Sequence, residues 1–396
     1  MSRGRWHPFG RVSDFDSLSV QDLRRRKSSK WRDVPPDVLP AWVAELDVRL
    51  APAVHQALLE AVTLGDTGYV PERSLELAKA FAGFANRRFG WTVLPGNVFM
   101  VPDVTAGIDR IVRLTSQPGD RVAMFLPAYP PFYETLEDSR KKIIHLHLEE
   151  NESGWQVNYD QVVHAFTRGV KILILNNPHN PTGKVFGQAE LEKLLELACR
   201  YDIFVISDEV HAPLTLPGSS HTPWLTVGPE AASRGIVLTA ATKAFNLAGL
   251  KCGLMVAEGD ARSLAGQLPN EFKVMAGHLG AIASTAAFRH GDAWLDALLQ
   301  HLSRNRATME RWITSLRPRV RWQPPQATYL AWLDLREAGL GSDPARRILE
   351  QARLALSSGQ DFDPVNGHGR VRLNFGTTQS ILNDILSRIT ATLGSA

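Results

Sequence analysis

The run Lys171-Ile172-Leu173-Ile174-Leu175-Asn176-Asn177-Pro178-His179-Asn180-Pro181-Thr182-Gly183 decides the fold. Its first part is short and apolar, which predicts a buried strand over 171–175, and the turn residues that follow end it. Residues 188–201 come next. Their Leu191, Leu194, Leu195 and Ala198 recur at i, i+3, i+4 and i+7, the pattern of a helix with one apolar face. A second apolar run, 203–207, follows. Strand, helix and strand at this spacing make a βαβ unit and imply a largely parallel sheet. Residues 122–126 and 236–240 read as further buried strands of the same sheet.

Open parallel sheets bind ligands beyond the carboxyl ends of their strands. The segments that follow these four strands are therefore the place to look for chemistry. They are Pro127-Ala128-Tyr129-Pro130-Pro131-Phe132, the turn 176–183, Asp208-Glu209-Val210-His211 and Ala241-Thr242-Lys243-Ala244-Phe245-Asn246. Each has a plain reading by itself. Asp208 is a helix cap, 177–183 a turn-rich loop, Lys243 a surface lysine and Tyr129 loop packing. Their conjunction at successive strand ends is what carries the argument, because it puts an aromatic plate, an amide, a carboxylate and an amine at one edge of one sheet. Pyridoxal phosphate requires that set: an amine for its aldehyde, a carboxylate for its pyridine nitrogen, a ring to stack on, and donors for its phenolic oxygen and phosphate.

The remainder of the chain bounds this reading. It has 396 residues, 44% hydrophobic and 21% charged, which fits a folded protein of two or three domains. A net charge of +3 is too small to suggest a nucleic-acid partner, and two cysteines exclude a disulfide scaffold or a Cys-rich zinc module. No stretch approaches the roughly 18 apolar residues of a membrane span, and the first residues lack the apolar core of a signal peptide. The expected compartment is the cytoplasm. The basic run Arg24-Arg25-Arg26-Lys27 reads as a solvated helix end followed by a loop rather than a phosphate patch.

The expected fold class is α/β. Residues 51–290 form a large domain with a mostly parallel sheet flanked by helices. Residues 291–396 form a smaller α+β domain, with strands at 328–333 and 371–375 and helices at 343–354 and 379–393. Residues 1–50 are an N-terminal arm packing with the small domain. Helical patterns over 271–288 and 293–316 link the two domains. A further candidate site is the segment 101–107, where a helix start places the Val104 and Thr105 amides to bind a phosphate.

The blocks 177–183, Ser207-Asp208-Glu209-Val210-His211 and 242–250, with Trp42-Val43-Ala44-Glu45-Leu46-Asp47 and Val371-Arg372-Leu373-Asn374-Phe375, resemble the fold-type I pyridoxal-phosphate enzymes of the class I/II aminotransferase superfamily. Within it they are most similar to the MalY/PatB-type, cystathionine β-lyase-like, C–S lyases. The resemblance runs from about Trp42 to Phe375. It implies pyridoxal 5'-phosphate as cofactor, Lys243 as the Schiff-base lysine and proton carrier, and Asp208 as partner of the ring nitrogen. It further implies Asn180 on the phenolic oxygen, Tyr129 stacked on the ring and Arg372 clamping the substrate carboxylate. Ala44, with Asn180 and Tyr129, would line the substrate pocket. Tyr69 would reach the phosphate of the partner subunit and act in catalysis, so that a homodimer shares its active sites. His211 stands where aminotransferases of the superfamily often carry tyrosine, which favours the lyase branch. Lys251 replaces a frequent arginine, exchanging a two-pronged grip for a point charge. Ala240 replaces a frequent hydroxyl, leaving Thr239 or Thr242 to supply it.

The implied reaction is β-elimination from an S-substituted L-cysteine, cystathionine-like or a thioconjugate, to thiol, pyruvate and ammonia. The alternatives are an amino-acid aminotransferase, decarboxylation-coupled chemistry on a related conjugate, and a regulatory protein on the same scaffold.

Overall fold

The computed structural model describes residues 15–71 and 74–394. The first 14 residues of the expected N-terminal arm lie outside them. In chain order the strands are β1 (Leu39–Pro40), β2 (Val98–Val101), β3 (Arg121–Leu126), β4 (Lys142–Asn151), β5 (Gly154–Val157), β6 (Val170–Asn176) and β7 (Phe204–Asp208). They continue with β8 (Gly235–Thr239), β9 (Gly253–Val256), β10 (Arg321–Trp322), β11 (Leu330–Asp334), β12 (Leu354–Ala355), β13 (Ser357–Ser358) and β14 (Arg370–Asn374).

Eight strands form one sheet in the order β2-β9-β8-β7-β6-β3-β4-β5. Its centre is parallel: β3 pairs with β4 and β6, β6 with β7, and β7 with β8, all in the same direction. The four strands expected from apolar runs are β3, β6, β7 and β8. They are buried on both faces between helices, so they read as continuous apolar runs rather than alternating ones. The helix Gln188–Tyr201 joins β6 to β7 and buries the predicted leucines. From β3 the chain goes outward to β4, then returns to the other side of β3 to make β6. The sheet's order therefore reverses between β3 and β6, where a crevice opens at the strand ends.

A second sheet, β10-β11-β14-β13, is antiparallel. The 25-residue helix Asp292–Leu316 precedes it in the chain, and the helix Gln379–Gly394 closes the chain after it. Asp343 caps the helix Pro344–Ala352 by accepting from the Arg346 amide. β1 pairs with β12, which fastens the segment around Leu39 to the second half of the chain.

One expected helix is interrupted. The pattern over 271–288 is two helices, Asn270–Val274 and His278–His290. Between them the Gly277 amide donates to the Lys251 carbonyl at 2.6 Å, and a Cβ on Gly277 would come within 2.3 Å of the Leu250 carbonyl oxygen. The chain leaves helical form there to lie against the loop that carries Lys251.

Candidate active site

The crevice at the reversal point holds a cavity of about 520 Å³. Tyr129 from the loop after β3, Asn180 from the loop after β6, and Asp208 and His211 from the end of β7 line it, with Thr242 and Lys243 from the turn after β8. Val104, Thr105 and Lys251 close one end. Nine of the expected site residues thus meet in one space.

Asp208 lies directly across the β6–β7 ladder from Asn176. The Asn176 amide donates to the Asp208 carboxylate at 3.1 Å, and the Val210 N–H donates to its other oxygen at 3.1 Å. Burial still dominates and pushes the carboxyl up to about 7; the bond from Val210 and the charge of Lys243 oppose it. No cation bonds Asp208 among the described residues, so its charge awaits a partner. The side-chain oxygen of Asn176 also accepts from the Asn180 amide at 2.6 Å, which ties the 176–180 turn to the side chain that holds the Asp208 carboxylate. Gly183 ends this turn at φ +69°, where a Cβ would meet Pro325 at 2.3 Å.

Lys243 faces the cavity, and burial pulls its amine down to about 8; the charge of Arg372 acts in the same direction. Its amine donates to the Ala44 carbonyl at 3.3 Å, and the Tyr329 hydroxyl donates to the same oxygen at 2.9 Å. Arg372, on β14, reaches the cavity wall. It donates to the side-chain oxygen of Asn180 at 3.1 Å and to the Trp42 carbonyl at 2.8 Å. Burial lowers its pKa to about 10, which leaves it charged at neutral pH. His211 is buried and held well below the ordinary imidazole range by burial, then by Lys243 and Arg372, so it is neutral.

At the far end, the side chain of Asp103 caps the helix Val104–Thr115 by accepting from Ala106. The Val104 and Thr105 amides, first in that helix, have no acceptor within it. Lys251 donates to the other Asp103 oxygen at 2.9 Å. Of the two hydroxyls left for the Ala240 position, Thr242 lines the cavity, while the Thr239 hydroxyl donates to the Glu209 carbonyl. Tyr69 is 89% exposed and does not line the cavity of its own chain.

The segment 42–48 is held carbonyl by carbonyl. Asn374 donates to the Val43 and Glu45 carbonyls, Lys30 to that of Glu45, Asn246 to that of Leu46, and Arg26 to those of Leu46 and Val48. Lys30 and Asp47 form a buried ion pair at 2.7 Å, with the Trp31 indole donating to the same carboxylate. Arg26, expected at a solvated helix end, turns inward to make these bonds.

Sequence reasoning gave no role to Asn176 or Tyr329. Asn176 had a signal, since it is the last residue of a strand whose neighbour ends in Asp208. Tyr329 had none, because an aromatic at the start of a strand is ordinary core.

The donor set fits pyridoxal phosphate. A buried carboxyl without a cationic partner, an amine with a lowered pKa, an aromatic ring and two unpaired helix-start amides are spread along one cavity.

The sequence model of the class I and II aminotransferases matches residues 44–389. The chain belongs to the aminotransferase class I and II family. Relatives in this family span almost all of the chain. It is 32% identical to cystathionine beta-lyase PatB of Bacillus subtilis, covering 96% of this chain and 98% of that protein. It is 33% identical to a cystathionine beta-lyase of Corynebacterium glutamicum, over 94% and 99%. The PLP-bound C–S lyase of Staphylococcus hominis superposes with a TM-score of 0.89, over 96% and 98% of the two chains, and at 24% identity it speaks for the fold. The expected α/β architecture and the expected family both hold.

Proposed function

We propose that this protein is a pyridoxal-phosphate-dependent C–S β-lyase that converts an S-substituted L-cysteine and water to thiol, pyruvate and ammonia. One observation carries the reading: Lys243 and Asp208 line one cavity with Asn180, to which Arg372 is bonded, in a chain 32% and 33% identical over almost its whole length to two cystathionine beta-lyases.

Bound there, pyridoxal phosphate supplies an electron sink for the pair left at the substrate Cα when its proton departs. Lys243, Asp208, Asn180, Tyr129, His211 and Thr242 would hold it, with the Val104 and Thr105 amides and Lys251 at its phosphate. Asp208, ionised, would keep the ring nitrogen protonated and balance its charge. Arg372 and Asn180 grip the α-carboxylate, which fixes the Cα–H bond toward Lys243. With its pKa near 8, Lys243 is partly neutral at physiological pH. It takes the Cα proton and delivers a proton to the departing sulfur. His211, neutral and buried, adds no charge beside the amine.

The cavity takes its final form in a homodimer. Tyr69 stands on the surface with Leu59, Val62 and Leu64 of the helix Pro52–Leu64 also exposed, and it reaches the partner's phosphate site and aids catalysis there. We divide the chain into an arm over 1–50, a large domain over 51–290 and a small domain over 291–396; in support, the eight-stranded sheet lies within the second range and the four-stranded sheet within the third. Among the described residues no helix is long and apolar enough to cross a membrane, and the enzyme works on a small amino acid in the cytoplasm.

The test is turnover without a keto acid. Elimination regenerates the starting enzyme, so thiol, pyruvate and ammonia should accumulate over many turnovers from an S-substituted cysteine alone. Arrest after one turnover, relieved by a keto acid and without thiol release, would make the protein an aminotransferase.

A further inference from the structure

Arg372 is charged, buried and bonded to no carboxylate among the described residues. Its hydrogen bonds run to Asn180, to the Trp42 carbonyl and, at 3.3 Å, to the Ser357 hydroxyl. All three partners are neutral; the Asp361 carboxylate attracts the guanidinium through space but makes no ion pair with it among the described residues, so no carboxylate occupies its donors. The three partners also act at the edges of a planar group, and edge contacts restrain movement out of the plane poorly.

What lies against its face is Phe362. The guanidinium carbon is 4.7 Å from the centre of the Phe362 ring, within the range of a cation–π contact, which strengthens where water is excluded. Phe362 is itself immobilised. It is 1% exposed and packs edge-on against Trp332 of β11 with ring centres 5.5 Å apart. Its carbonyl accepts from the Ala128 amide at 2.8 Å and from the Tyr133 hydroxyl at 3.0 Å. Ala128 immediately precedes Tyr129, so the residue that backs Arg372 is fastened to the loop carrying the stacking ring.

We propose that Phe362 is a positioning residue for substrate recognition: its ring face sets the plane of the Arg372 guanidinium and stabilises the charge without a carboxylate bonded to it, so that its donors stay available to the substrate α-carboxylate. A carboxylate in the same place would neutralise the clamp; an aliphatic side chain would leave it to tilt. The inference rests on the assignment of Arg372 as the carboxylate clamp.

The test compares two probes that differ only in the carboxylate, L-alanine and ethylamine. Their binding to the holoenzyme is read as the change in its visible spectrum. Phe362→Leu should weaken L-alanine about tenfold, or 1.4 kcal/mol, and ethylamine less than about twofold. Phe362→Tyr, which keeps the ring face, should hold L-alanine within about twofold of wild type. Phe362→Met replaces the leucine variant if the latter fails to melt cooperatively. Equal weakening of both probes, no weakening of either, or a tyrosine variant as impaired as the leucine one would each overturn the proposal. Arg372→Ala is the reference. If it weakens both probes equally, the clamp assignment fails and the inference falls with it. If it weakens L-alanine alone while Phe362→Leu does not, only the inference fails.

Discussion

Asn176 and Asp208 face each other across the β6–β7 ladder, and the amide of the first donates to the carboxylate of the second at 3.1 Å. A neutral donor of this kind orients the carboxylate without neutralising it. The charge is left without a cationic partner among the described residues, free for the ring nitrogen in the proposed role, and in the protein alone it is a liability.

Asp208→Ala therefore has opposite effects on stability and on rate. In the holoenzyme it should lower kcat by at least about 10², the scale of losing a preorganised electrostatic group, while Lys243 still gives a visible band that borohydride removes. In the cofactor-free protein the pKa of Asp208 is raised from 3.8 to about 7 on folding. The folded state then binds the proton more tightly than the unfolded one. This contribution to stability is complete below pH 4 and lost as the pH rises through 7. Melting curves of wild type and variant should diverge in the variant's favour between about pH 4 and 7, and parallel curves would contradict the raised pKa.

Arg372→Ala should raise KM and lower kcat/KM by about 10–150-fold, the worth of a hydrogen bond to a charged group. Arg372→Lys should recover little of this, since an ammonium cannot reproduce the planar grip on Asn180 and the carboxylate. Steady-state kinetics on one S-substituted cysteine suffice to check both.

Tyr69 gives a test that needs no substrate panel. If it completes the partner's site, mixing an inactive Tyr69 variant with an inactive Lys243 variant should restore part of the activity, because the hybrid dimer contains one intact site. Absence of recovery after demonstrated subunit exchange would place Tyr69 in its own chain's chemistry.

Lys30→Met strands the Asp47 carboxylate inside the protein and should reduce stability by about 3–5 kcal/mol in urea unfolding. The double variant with Asp47→Leu should recover part of that loss, though not all, because Trp31 still loses its acceptor. If the double variant were no better than the single one, the pair would matter for more than charge balance.

The central strands and the residues that meet in the cavity were legible because they obey one rule: buried parallel strands are apolar throughout, and polar, reactive side chains follow them. β2 and β9 escaped notice because four-residue strands carry too little pattern. β4 alternates His145 and His147 with the buried Leu146 and Leu148, the period of a half-buried strand, and so lacks the continuous apolar run that marks the central strands. The break at Gly277 comes from a tertiary approach to Leu250 that no local propensity encodes. In the site, Asn176 and Phe362 act only through other side chains, and their types alone announce nothing.

The segment 42–48 works through its peptide oxygens. Trp42 and Ala44 present carbonyls to Arg372 and Lys243, and any amino acid other than a backbone-distorting one presents the same atoms. The side chain at position 44 is thereby uncoupled from the machinery that its own backbone supports. Selection can therefore act on the side chain at position 44 without removing the acceptor that Lys243 and Tyr329 share.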